Sequence, residues 1–182
     1  MKSLFAPAAT ILAAALAMGA LHPAMAQSKQ QKQAQKATVL GSFGDWQALT
    51  YKEGKDDVCY VASLPKKSEG HQSKPGETNI LVTHWPAQKN IGVISVTAGY
   101  EYKKDSDVEL DIGSDKFNLF TRGKTAWARS GDDAKIVKAM KSGRDLTAHG
   151  QTTKGTKTTD IYSLNGFTKA YETASKACGV QG

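Results

Sequence analysis

Short apolar segments bounded by turns run from residue 39 to residue 164, and they decide the fold class. Residues 58–64 (VCYVASL) and 79–85 (NILVTHW) are β-branched and apolar enough for central strands, the second stopped by Pro86. Residues 39–51 carry Phe43, Trp46, Leu49 and Tyr51, with Gly41 and Gly44 suggesting a bend or bulge. Residues 91–102 (IGVISVTAGYEY) resume extended structure after a turn at 88–90. Segments 108–112, 116–121 and 125–129 are joined through Gly113-Ser114-Asp115 and Arg122-Gly123-Lys124. Glycine supplies positive φ at no steric cost, so both links read as hairpin turns. A Thr-rich hairpin is expected across 145–153 and 156–164, around Lys154-Gly155. Only two segments switch to helical period. In 132–141, Ile136, Val137 and Met140 share one face, and Gly143 ends the run. In 166–178, Phe167, Ala170, Tyr171, Ala174 and Cys178 fall on one stripe. The fold class is therefore mainly β: an antiparallel sandwich or barrel-like domain with two short helices, one of them C-terminal.

The first 26 residues say where such a domain works. Lys2 precedes an apolar run at 10–21 (TILAAALAMGAL), and Ala24-Met25-Ala26 forms a small-x-small cleavage signal before Gln27. That is the pattern of a secretory signal peptide. The apolar run is shorter than the roughly 20 residues that span a bilayer, so cleavage is expected rather than anchoring. No later segment is apolar enough to span. Residues 27–36 (QSKQQKQAQK) hold five Gln and three Lys and nothing larger than Ala to bury. Residues 27–37 read as a flexible tether, and 38–182 as one folded domain. The expected location is the periplasm, or the cell exterior and outer surface.

Export makes a disulfide the expected fate of the only two cysteines, Cys59 and Cys178, with a pair of buried free thiols as the alternative. It also makes nucleic acid an unlikely partner and removes cytosolic cofactors; no cofactor and no metal is expected. The formal net charge is +7, of which Lys2 accounts for one. Such a surplus favours anionic surfaces or acidic glycans if the cations converge. The candidate binding surface comprises Lys66, Lys67, Trp85, Lys135, Lys138, Lys141 and Arg144.

Chemistry-bearing patterns are sparse. Asp105, Asp107, Glu109 and Asp111 alternate two apart and open as D-x-D, yet Leu110 and Lys116 stand where a calcium loop needs Gly and Glu. They read as a solvated strand face that repels edge pairing. His71, His84 and His149 lie far from one another and from the cysteines. None is expected to act as a general base. His71 sits in a polar loop, 65–77, where fixed geometry is not expected. His84 and His149 sit in strands, where only distant partners could complete a Ser-His-Asp set. There is no G-x-S-x-G elbow, P-loop or G-x-G-x-x-G run.

Several stretches resemble the invasion-associated locus B family of exported α-proteobacterial proteins. They are F-G-D-W at 43–46, V-C-Y at 58–60, L-V-T-H-W-P at 81–86 and G-V-I-S-V at 92–96. K-A-M-K-S-G-R-D-L at 138–146 and G-T-K-T-T-D-I-Y-S-L-N-G-F at 155–167, running into the Cys178-ended helix, carry most of the likeness. The resemblance implies a link to invasion of host cells in pathogens and brings no catalytic motif with it. The combined expectation is a non-enzymatic binding protein of the bacterial envelope, with an unidentified envelope or host-surface partner. The alternatives are a periplasmic hydrolase with a non-local triad, or a binder of anionic polysaccharide or lipopolysaccharide.

Overall fold

A computed structural model describes residues 36–181. The signal peptide and most of the tether lie outside the described residues. Eleven strands form one antiparallel sheet: β1 (Thr38–Phe43), β2 (Trp46–Glu53), β3 (Asp56–Ser63), β4 (Lys67–Glu69), β5 (Asn79–Trp85), β6 (Asn90–Thr97), β7 (Asp107–Ile112), β8 (Asp115–Arg122), β9 (Thr125–Trp127), β10 (Asp145–Gln151) and β11 (Lys157–Ser163). Their spatial order is β1-β2-β3-β5-β6-β9-β8-β7-β10-β11-β4. Helices α1 (Asp133–Ser142) and α2 (Phe167–Ala177) complete the set, close to the expected segments.

The sheet is not closed into a barrel. It curls until the start of β2 meets the end of β11, where the Trp46 indole donates to the Ser163 carbonyl at 2.9 Å. The concave face holds the core. Ala48, Val61, Val82 and Ile94 form one buried row across β2, β3, β5 and β6. On the other half, Leu110 and Ala148 continue it across β7 and β10. Single-row burial of this kind follows from period-two alternation along each strand.

The two helices plug the concave side. Phe167 of α2 packs edge-on against Trp46 with ring centroids 4.9 Å apart. Cys178, just past α2, is bonded to Cys59 of β3, with Cα atoms 5.9 Å apart. Residues 39–51 fold as two strands turning at Gly44-Asp45, so Cys59 lies in the third strand. Helix α1 covers the part of β6 that short β9 leaves unpaired. There the Asp133 carboxylate accepts the Ile94 N–H at 2.8 Å. Burial raises the Asp133 pKa, and that backbone donor works against the rise. No helix among the described residues is long and apolar enough to cross a membrane.

The polar loop at 65–77 departs from expectation. Lys67–Glu69 add to β11 as strand β4, with Ser68 opposite Asp160. Three residues rich in charge give no strand signal in sequence; the pairing is imposed by the neighbouring edge.

Candidate functional site

Antiparallel sheets usually show water a polar face. The convex face of this sheet divides into two halves of opposite character. Over β7, β10 and β11 it is polar. Asp107 meets Arg129 at 2.7 Å, and Lys116 bridges Glu109 and Asp111 at 2.8 and 3.1 Å. His149 lies 3.6 Å from Asp111 on the same face. The acidic alternation is thus an ion-paired strand surface. Asp105 falls in the preceding turn, with φ +58°, and does not join it.

Over β1, β2, β3, β5, β6 and β9 the middle of the convex face is apolar, bordered by Ser42 and Gln47 on one side and by Asn79, Thr97 and Thr125 on the other. One row runs Val39, Leu49, Tyr60, Thr83, Val93. The next runs Ala62, Leu81, Ser95, Trp127 and on to Phe120 of β8. Tyr51 stands edge-on to Tyr60, ring centroids 6.1 Å apart, and Trp85 continues the alternation of Leu81 and Thr83. Small Thr83 and Ser95 are buried between larger neighbours, while Val39 and Phe120 are 54% and 41% exposed. No Lys, Arg, Asp or Glu occupies either row from Val39 to Phe120. Both helices pack on the concave side, through Cys59, His84 and Gly92, so among the described residues neither covers this face.

Of the seven residues expected to form a binding surface, Trp85 alone belongs to this apolar half. The others are distributed over several elements. Lys66 and Lys67 flank the start of β4 and are paired with Asp45 (2.8 Å) and Glu69 (2.5 Å). Lys135, Lys138 and Lys141 line α1, Lys135 paired with Asp132 at 2.9 Å and Lys141 resting 4.9 Å over the Tyr171 ring. Arg144 precedes β10. The apolar half also holds Leu49, Tyr51, Tyr60, Leu81, Val93 and Trp127, which lie outside the expected set of seven. Their signal was the failure of β3, β5 and β6 to alternate: apolar residues in both phases mean a strand apolar on both faces.

The histidines take three distinct positions. His84 is wholly buried on the concave side. Its Nδ1 accepts the Gly92 N–H at 3.0 Å, and Nε2 lies 3.1 Å from Ser175 Oγ. A second proton would have to sit between Nδ1 and the Gly92 amide, and burial holds the His84 pKa down at about 4. The unfolded chain gains this proton near 6.5, so between about 6.5 and 4 it binds more protons than the folded chain. Stability is therefore expected to fall as pH drops through that window, by up to on the order of 3 kcal/mol, and to level off below it. Urea midpoints at pH 7, 5.5 and 4.5 measure the loss. In His84→Gln the curve should be flatter, and an equally steep curve in that variant assigns the effect elsewhere.

His71 overturns the expectation of a mobile ring. Nε2 lies 2.9 Å from the Asp160 carboxylate and Nδ1 2.9 Å from Ser73 Oγ. The Ser68 hydroxyl donates to the same Asp160 oxygen at 2.5 Å. The His71 and Asp160 side chains are only 3% and 4% exposed. Tyr100 packs against the imidazole, ring centroids 4.9 Å apart. Beneath lies Tyr162, whose hydroxyl is buried without a partner and whose pKa burial raises, with the Asp160 charge adding to the rise. A cleft of about 490 Å³ opens over Ser68, His71 and Ser73. No group of three or more His, Cys, Asp or Glu among the described residues is arranged to hold a metal.

A family model described as invasion associated locus B (IalB) protein matches residues 46–175, well over half of the chain. The chain belongs to the IalB family. Comparison with curated proteins and with solved structures finds no match. In this IalB-family chain the matched span opens at Trp46, the residue that closes the curl, and ends at Ser175, the hydroxyl beside His84. It holds both rows of the convex face except Val39. Family membership points to an invasion-associated envelope protein and leaves the partner and the molecular act to the surface itself.

Proposed function

We propose that this chain is an exported envelope protein that acts by surface recognition, and that its partner docks on the convex face of β2, β3, β5, β6 and β9. The observation that carries the reading is the absence of charge from two adjacent apolar rows in a chain that is 23% charged. Leu49, Tyr60, Leu81, Val93 and Trp127 are half-buried and Val39 and Phe120 exposed, and a contiguous apolar face that meets solvent marks an interaction site on soluble proteins. Aromatic Tyr51, Tyr60, Trp85 and Trp127 fit this use, since they bring large contact area at low entropic cost. The family and the Cys59–Cys178 bridge both fit an exported protein working in an oxidising compartment. The basic residues belong to the rival electrostatic reading, in which acidic glycan or lipopolysaccharide is held by Lys138, Lys141 and Arg144.

Co-sedimentation of residues 27–182 with isolated cell envelopes separates the two. The double variant Leu81→Ser, Phe120→Ser should lose binding about tenfold or more, by the usual effect of truncating apolar anchors. Binding should change little between low and physiological salt. Lys138→Ser with Arg144→Ser should bind as the parent does. If the lysine and arginine variant loses binding instead, and salt screens it, recognition is electrostatic and the convex face is not its seat.

A further inference from the structure

We propose that Ser73, His71 and Asp160 form a hydrolytic centre for small carboxylic esters, separate from the convex face. Three hydrogen-bonded groups stand in line: Ser73 Oγ, then 2.9 Å to His71 Nδ1, and 2.9 Å from His71 Nε2 to Asp160 Oδ1. The Asp160 carboxylate fixes the tautomer with the proton on Nε2. That leaves the Nδ1 lone pair facing the serine hydroxyl, which is the condition for a general base. The two ring nitrogens exchange the places they hold in the serine-protease arrangement, but the relay needs only one nitrogen fixed as donor and the other free as acceptor. The ring and the carboxylate are dry, while Ser73 lines the open cleft, so the base is shielded and the nucleophile reachable.

The frame around the three groups is built from the sheet. Asp160 projects from β11 onto the concave side, in the row of Leu110 and Ala148. Strand β4 delivers Ser68 to the same carboxylate and starts the segment that carries His71 and Ser73. On its far side Ser73 rests against Gly99: a Cβ there would lie 2.1 Å from Ser73 Oγ. Gly99 is thus required for the hydroxyl to reach His71. Leu64, Pro65 and Pro75 give the cleft apolar walls. Those walls suit a short acyl chain and offer no buried charge to hold a long or ionic one.

The chemistry balances within the centre. Ser73 Oγ bonds to the ester carbonyl carbon as its proton passes to His71 Nδ1. The carbon–oxygen bond to the alcohol breaks, and the departing oxygen takes that proton. Water, deprotonated by Nδ1, then cleaves the acyl-serine and restores the hydroxyl. The amide that follows the nucleophile commonly supplies an oxyanion donor. Here the Lys74 N–H is held at 3.1 Å by the Glu77 carboxylate. Glu77 is exposed and acts as a removable plug: the ester oxygen must displace it to reach the amide.

Residues 27–182, carrying the native bridge, are treated with a fluorophosphonate and assayed with p-nitrophenyl acetate. A single adduct is expected, mapped by peptide mass to Ser73. Ser73→Ala removes one oxygen from the loop and should abolish both adduct and turnover, while Ser142→Ala on α1 leaves both unchanged. Gly99→Ala should lower the labelling rate at least tenfold by displacing the hydroxyl. Asp160→Asn, a positioning change, should lower kcat with little effect on KM. Glu77→Gln should raise turnover severalfold, an outcome that a purely structural role for the trio does not produce. No adduct at Ser73, or hydrolysis that survives Ser73→Ala, overturns the proposal. Envelope binding is unaffected by Ser73→Ala in either case, so the two sites succeed or fail separately.

Discussion

Cys178→Ala is expected to lower the stability of the folded chain by roughly 2–5 kcal/mol, the usual cost of removing a native bridge. For a chain of this size that is a fall in thermal midpoint on the order of 10 °C. The bridge joins residues 119 positions apart, so it removes a large loop from the freedom of the unfolded chain. It also ties α2 to the wall of the core, since Cys59 is fully buried in β3 beside His84 of β5. Dithiothreitol should bring the parent protein down to the midpoint of the variant and leave the variant where it is. Equal midpoints for parent and variant without reductant would mean that the bridge adds nothing to the native state.

A comparable loss is expected from Gly166→Ala. Gly166 precedes α2 with φ +89°, a conformation that side chains rarely adopt. A Cβ there would lie 1.9 Å from the Phe43 carbonyl oxygen, inside backbone rather than beside a mobile side chain. The β1–β2 turn or the start of α2 has to move, and with it the Trp46–Phe167 contact. The expected loss is about 3 kcal/mol or more in urea unfolding. Gly113→Ala is the comparison, because its φ is also positive, +60°, but nothing lies near its Cβ. It should cost about 1 kcal/mol. Equal losses in the two variants would trace the effect to backbone angle alone and remove the role given to the contact with Phe43.

What could be read in the sequence followed from local chemistry. The β7–β8 and β8–β9 hairpins declared themselves through Gly113 and Gly123, and the β10–β11 hairpin through Lys154-Gly155. Helix α2 did so through the spacing of Phe167, Ala170, Tyr171 and Ala174. The bridge followed from having two cysteines in a chain expected to be exported. The single curled sheet was not legible, because it depends on β7 pairing with β10 and β4 with β11, contacts that leave no local mark. His71 was misjudged for the same reason. Its flanking sequence is that of a polar loop, and the groups that fix it, Asp160 and Tyr100, arrive from β11 and from the segment after β6. The convex apolar face was half legible: residues 58–62 and 91–96 are apolar in both phases, but only the register shows that they lie side by side.

The curl also sets an order in time. Trp46 and Phe167, Cys59 and Cys178, and Phe43 and Gly166 are all contacts between the first and last parts of the described chain. None can form until α2 has emerged, and pairings of such long sequence separation close slowly. A chain exported through a narrow channel must stay unfolded while it is threaded. In this topology the contacts that lock the fold lie with the residues that would leave last. By the same logic, truncation before Phe167 removes few residues yet takes α2 off the concave side, leaving α1 there alone, and leaves Cys59 without a partner. A chain cut there should accumulate as an open sheet prone to degradation, although every strand is still present.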